Sequence, residues 1–256
     1  MKHLGAVLAL VLPLPLLAQD TGDLVRFVSC PVYRDTDAGR KSGCWLVDQV
    51  ETGQRWDVTP SPYKPDWNHE VLVEGRVSDQ PPDLCGSRVL DPVRTSILPG
   101  RCPHHLIPAE GYPGRKYPLP ERHIEPLDAP RKVPPGPYGP RTFFTFFEFD
   151  RDFLVYQYDD FLVDRMVTWL RVAKPRKVVV TGFAATDPET ISGHVLAERP
   201  EVARERAEAV AITLRRLIPE LEVETRWETR SKPIETPDAD DIPGQSQRRA
   251  EVQALF

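Results

Sequence analysis

Eleven prolines fall between Pro103 and Pro140. Each removes a backbone donor, fixes φ and restricts the residue before it, so neither a helix nor a central strand persists through such a stretch. Residues 103–140 therefore read as a semi-rigid, extended linker. Each flanking part, 19–102 and 141–256, is expected to build its own core and to fold alone. No internal repeat is visible.

The chain begins with Lys2 and His3, followed by an uncharged, almost wholly apolar run from Leu4 to Leu17. Leu16 and Ala18 fit the small-residue pattern before a cleavage site, and Gln19-Asp20 starts a polar stretch, so residues 1–18 are expected to be a signal peptide. The run is shorter than the roughly 20 residues a spanning helix needs, and no later run is long enough, so no transmembrane segment is expected in the mature chain. No cysteine follows the apolar run, which argues against a lipid anchor there.

The cysteines are Cys30, Cys44, Cys85 and Cys102, all before the linker. An even number in an exported chain points to two disulfides. Three pairings are possible; short loops favour Cys30–Cys44 with Cys85–Cys102. No C-x-x-C or H-x-H pair is present, and the adjacent His104-His105 would point to opposite faces of a strand, so no metal or other cofactor is expected. A net charge of −5 and a pI near 5.7 exclude the basic footprint of a nucleic-acid-binding protein.

Before the linker, short β-prone runs dominate: Cys44 to Val47, Arg55 to Val58, Glu70 to Val77, Arg88 to Leu90 and Val93 to Leu98. They predict a small all-β domain, and the Leu-Val-Glu-Gly-Arg-Val run resembles an OB-fold core. Trp45, Trp56 and Trp67 either fill this small core or stack on a sugar. After the linker, strand and helix alternate. Thr142 to Phe149 is an aromatic strand. Leu162, Met166, Trp169 and Ala173 give one apolar helix face, headed by Asp159 or Asp160 and ended by Pro175. Lys177 to Phe183 is a near-continuous apolar strand. Pro200 opens a second helix with Ala203, Ala207, Val210, Leu214 and Leu217 inward. Leu221 to Trp227 and Ala250 to Leu255 complete the order β-α-β-α-β-β. The fold class is α+β, with a mixed sheet in the second domain behind a disulfide-bonded all-β domain.

Four motifs in that order resemble the OmpA-like, peptidoglycan-associating domain family over 141–256. They are Phe-Phe-Glu-Phe-Asp-Arg-Asp at 146–152, Val-Val-Val-Thr-Gly-Phe-Ala-Ala-Thr-Asp at 178–187, Val-Ala-Arg-Glu-Arg-Ala-Glu-Ala-Val at 202–210 and Gln-Arg-Arg-Ala-Glu-Val at 247–252. The resemblance implies a cell-envelope protein, periplasmic or outer-membrane-associated, that binds the diaminopimelate residue of the peptidoglycan stem. The residues it implies for that contact are Asp187, Arg206, Arg248, Arg249 and Asp150. A zwitterionic ligand end needs an acid for its ammonium and a forked donor for its carboxylate, which suits Asp187 and Arg206.

The sequence departs from the family pattern at several places. Thr190–Arg199 is inserted before the second helix, and the loop after Gly182 aligns in two ways, with either Asp187 or Ala185 at the ligand position. Without the resemblance, Arg206 at the margin of the apolar face would read as a snorkelling side chain. Three classes of function follow. One is a non-catalytic peptidoglycan-binding protein, with an envelope protein as a further partner of the N-terminal domain. The second is an adaptor whose insertion covers the old pocket or makes a new contact. The third, an enzyme, has no nucleophile elbow, phosphate loop or His-Glu-x-x-His to support it.

Overall fold

The computed structural model describes residues 19–37, 43–81, 85–111, 132–154 and 159–256, without the side chains of Asp159 and Asp160. The expected signal peptide and the middle of the linker, 112–131, lie outside them. Runs of β-branched and aromatic residues form the strands of the first sheet: β1 (Leu24–Ser29), β2 (Pro31–Arg34), β3 (Cys44–Gln49), β4 (Gln54–Asp57), β5 (His69–Val77) and β6 (Arg88–Arg101), joined by a short β7 (Leu106–Ile107). They pair in the order β1-β5-β6-β4-β3-β2-β7. β7 falls inside the stretch read as linker and pairs parallel with β2, so the first unit extends past residue 102. Its core gathers Phe27, Val47, Trp56, Val71, Val73 and Leu90. Trp45 and Trp56 are buried there, and Trp56 Nε1 donates to Gln49 Oε1 at 3.0 Å. Trp67 is half-buried against the same core and carries the His104 ring stacked on it.

Two disulfides are present, but they are Cys30–Cys102 and Cys44–Cys85, which corrects the sequential pairing. The register explains the correction. β2 and β3 are antiparallel with Arg34 opposite Cys44, which leaves Cys30 four residues along an extended strand, about 13 Å away. Cys85 and Cys102 flank β6, an extended run of 14 residues. Bridged cysteines need Cα atoms within about 7 Å, and neither sequential pair meets that.

After the linker come β8 (Arg141–Phe146), α1 (Asp159–Ala173), β9 (Lys177–Phe183), β10 (Glu189–Ile191), β11 (His194–Leu196), α2 (Glu201–Leu217), β12 (Glu222–Glu228), α3 (Pro243–Gln247) and β13 (Arg249–Leu255). The hairpin β10–β11 and the short α3 aside, this is the expected β-α-β-α-β-β order. The sheet runs β12-β9-β13-β8, with β12 parallel to β9 and β13 antiparallel to both its neighbours. Val178, Val180, Val252 and Ala254 meet Met166, Trp169, Leu170, Val210 and Leu214 of the two long helices in one core. Gly182 lets α2 approach β9: a Cβ there would lie 1.9 Å from the Ala203 carbonyl oxygen. Val133 and Tyr138, at the end of the linker, pack on this core.

The two units share a polar interface. Glu74, in the middle of β5, is buried between Arg26 of its own unit and Arg248 of the other. Arg94 pairs with Asp240, and Arg76 donates to the Asp241 carbonyl. Gly244 makes room for Glu74, whose carboxylate would lie 1.9 Å from any Cβ at that position. The Phe149 amide donates to Ser96 Oγ at 2.9 Å. No helix among the described residues is long and apolar enough to cross a membrane.

Candidate functional site

Arg206 sits on the inner face of α2, where its neighbours Val202, Ala203, Ala207 and Val210 are apolar and buried. The close approach of α2 to β9 at Gly182 lays the guanidinium over the end of that strand. The side chain is 0% exposed. Its five N–H donors all have acceptors. Nε donates to the Arg151 carbonyl at 2.9 Å, and Nη1 to the Phe183 carbonyl at 2.7 Å and Glu198 Oε2 at 2.9 Å. Nη2 donates to the Glu148 carbonyl at 3.0 Å and Glu198 Oε1 at 2.6 Å. The Phe147 ring lies 5.2 Å from the guanidinium carbon.

Glu198 is the partner that sequence reasoning missed. It belongs to the inserted segment and is also 0% exposed. Besides the forked pair with Arg206, Oε1 accepts from the Asp150 amide and Oε2 from the Ala185 amide, both at 2.7 Å. Each carboxylate oxygen thus accepts two hydrogen bonds. Burial alone would raise the Glu198 carboxyl, but the charge and hydrogen bonds of Arg206, helped by the charge of Arg248 and the Ala185 amide, hold it below the ordinary glutamate range. The only sequence signal was negative, an excursion with no place in the family pattern.

Of the five residues implied by the resemblance, three gather around the end of β9 and two do not. Asp150 adopts φ 55, a conformation that short polar residues tolerate, and turns its carboxylate onto the Arg199 amide and Nε at 2.8 and 2.9 Å. It therefore braces the segment carrying Glu198. Arg249 covers the Phe183 ring at 4.2 Å and bonds Glu251, Ser231 and the carbonyls of Lys232 and Ser246. Arg248 points away, into the interface with Glu74 and Gln245. Asp187 stands apart with its side chain 77% exposed, 3.8 Å from the exposed Arg230. In this loop it is the Ala185 amide, and not the Asp187 carboxylate, that reaches the Arg206 pocket, where it donates to Glu198. Chemically, the pocket is a complete carboxylate-binding site whose carboxylate is the chain's own.

No family model matches the chain, and no curated protein matches it in sequence. Among solved structures, the chain is similar to the OmpA-like domain of FopA1 from Francisella tularensis subsp. tularensis SCHU S4. That match is 18% identical, has a TM-score of 0.35, and covers 45% of this chain and 71% of that one. It is also similar to the cell wall anchor of the T6SS from Pseudomonas aeruginosa, at 19% identity and TM-score 0.35, covering 45% of this chain and 81% of that one.

Proposed function

We propose that this is a non-catalytic, exported envelope protein that works as an adaptor, with an OmpA-like unit whose wall-ligand pocket is filled by its own Glu198. The observation that carries the reading is the exhausted hydrogen bonding of Arg206, with five donors on five internal acceptors at zero exposure. An external ligand carboxylate would have to displace a buried, fully bonded one. Disulfides and export fit an oxidising envelope compartment. The interface with the β domain ties up Arg248 as well, so the unit is better suited to holding a second protein module in place than to gripping a stem peptide.

A second reading, peptidoglycan binding through the diaminopimelate contact, is favoured by the retention of Arg206 in its pocket, and it requires Arg206 to part from Glu198. Co-sedimentation of the whole mature chain with purified sacculi separates the two. The adaptor reading expects the protein in the supernatant, with or without free diaminopimelate. Pelleting that diaminopimelate reverses would instead establish the wall-binding reading.

A further inference from the structure

The segment that closes the Arg206 pocket takes its support from the other unit. β10–β11 lies between β9 and α2 in sequence, yet it joins no strand of the four-stranded sheet. Its contacts fall mainly on the β domain, with Phe149 of its own unit joining the same apolar cluster. Glu189 pairs with Arg26, Ser192 Oγ accepts from the Val28 amide at 3.1 Å, and His194 faces Glu70 at 3.8 Å. Ile191 is buried with Val28, Leu72 and Leu98, and Leu196 packs on the same cluster. The turn at Ser192-Gly193 has φ values of 48 and 76, the doubly positive geometry that fits a two-residue hairpin to the strand twist. Two residues beyond β11, Glu198 enters the pocket and supplies Arg206 with the forked contact that a ligand carboxylate would make. One short ribbon is therefore fastened to the β domain along its length, from Glu189 and Leu196 to its tip at Ile191 and Ser192, and to the Arg206 site just beyond its base.

We propose that the hairpin is a latch: docking of its tip on the β domain and seating of Glu198 on Arg206 are one coupled event, so that release of the tip opens the pocket to an external carboxylate. This rests on the reading that Glu198 fills the pocket. The ribbon is the physical link, because its strands are held in register and only Ala197 separates β11 from Glu198. Arg199 anchored on Asp150 fixes the far side, so displacement of the ribbon is absorbed at Glu198 and Ala197.

Three amides report the two ends separately. The Val28 amide, which donates to Ser192, reads the tip; the Ala185 and Asp150 amides, which donate to Glu198, read the seat. The full chain is compared with Ile191→Asp, which puts a charge into the apolar tip contact. A milder variant, Glu189→Lys, turns the attraction to Arg26 into repulsion and serves if the first fails to fold. Hydrogen exchange and labelling of Arg206 by phenylglyoxal are measured together. The latch expects exchange at Val28, Ala185 and Asp150 and labelling of Arg206 to rise together by about ten- to a hundredfold, the usual range of coupling between two sites. Exchange at Val180 in the sheet core stays as it was. Acetate, against chloride at equal ionic strength, should slow the labelling in the released variant. A fast Val28 amide with Ala185, Asp150 and Arg206 still protected overturns the latch. Absence of an acetate effect overturns the claim that the opened pocket takes a carboxylate. Wild-type Arg206 labelling as fast as the exposed Arg204 would overturn the filled-pocket reading itself, and the latch with it.

Discussion

Glu198 and Arg206 are saturated by one another and by five backbone groups, and the consequences for stability are large. Removing one member of a buried ion pair strands a charge, which costs about 3–5 kcal/mol, whereas removing both together costs less. Arg206→Ala and Glu198→Ala are each expected to lose about that much in urea unfolding. The double variant Arg206→Ala with Glu198→Ala should fall short of the sum of the single changes by about 0.5–3 kcal/mol, the usual coupling between residues in contact. It does not return to neutral, because three carbonyls and two amides still lose partners. The pH dependence follows from the same groups. Burial raises the carboxyls of Glu198 and Glu74, but Arg206 for the first and Arg248 with Arg26 for the second outweigh it and leave both depressed. A depressed folded value means stability that is complete above the ordinary glutamate value, about 4.3, and lost as pH falls through the folded values below it. Unfolding free energy should therefore hold steady from neutral pH down to the ordinary value and fall below it, with a shallower slope in Glu198→Gln. Arg206 was visible in sequence because it interrupts an apolar helix face. Glu198 and Glu74 were not, since a charge whose partner is brought in by tertiary contact leaves no periodic mark; Glu74 and Arg248 are 174 positions apart.

Among elements, the alternation of strands and helices after the linker was legible because apolar runs of period 3.6 and continuous apolar runs differ in a single chain. β9, α2 and β12 fall where those patterns put them. β6 was read as two short strands on either side of Asp91-Pro92, and the structure runs them into one of 14 residues. The disulfide pairing rests in sequence on short loop closure, and the β2–β3 register and the extended β6 keep both sequential pairs apart. β10–β11 was seen only as an insertion, since three-residue strands carry too little pattern to be recognised. The observed bridges close loops of 72 and 41 residues. Loop-closure entropy then gives each about 4 kcal/mol of stabilisation. Cys30→Ser with Cys102→Ser is expected to lower the denaturant midpoint accordingly while leaving the far-ultraviolet spectrum of the remaining fold. A midpoint within error of wild type would mean that β5 and β6 hold those chain ends without the bridge.

For the whole molecule, composition marked the proline stretch as a divider, and the described parts of that stretch are docked on the units at both ends, through β7 and through Tyr138. Sequence gave no sign that the units share buried charges, because nothing in either half alone shows a partner missing. Glu74, Arg94 and Arg76 from one half meet Arg248, Asp240 and Asp241 from the other. Glu74→Ala is therefore expected to lower the unfolding midpoint of both halves together, followed by amide exchange at Val73 for the first and at Val180 for the second. Separate transitions, with only one shifted, would show that each part folds alone as the linker first suggested. The same contact also has a kinetic meaning. Arg248 follows Glu74 by 174 residues, so the carboxylate is without its final partner while the intervening residues are synthesised. Contacts of such long separation are closed late on a folding route. Losing one leaves the folding rate nearly unchanged and quickens unfolding, so the interface acts as a brake on the native state's escape rather than as a guide to its formation.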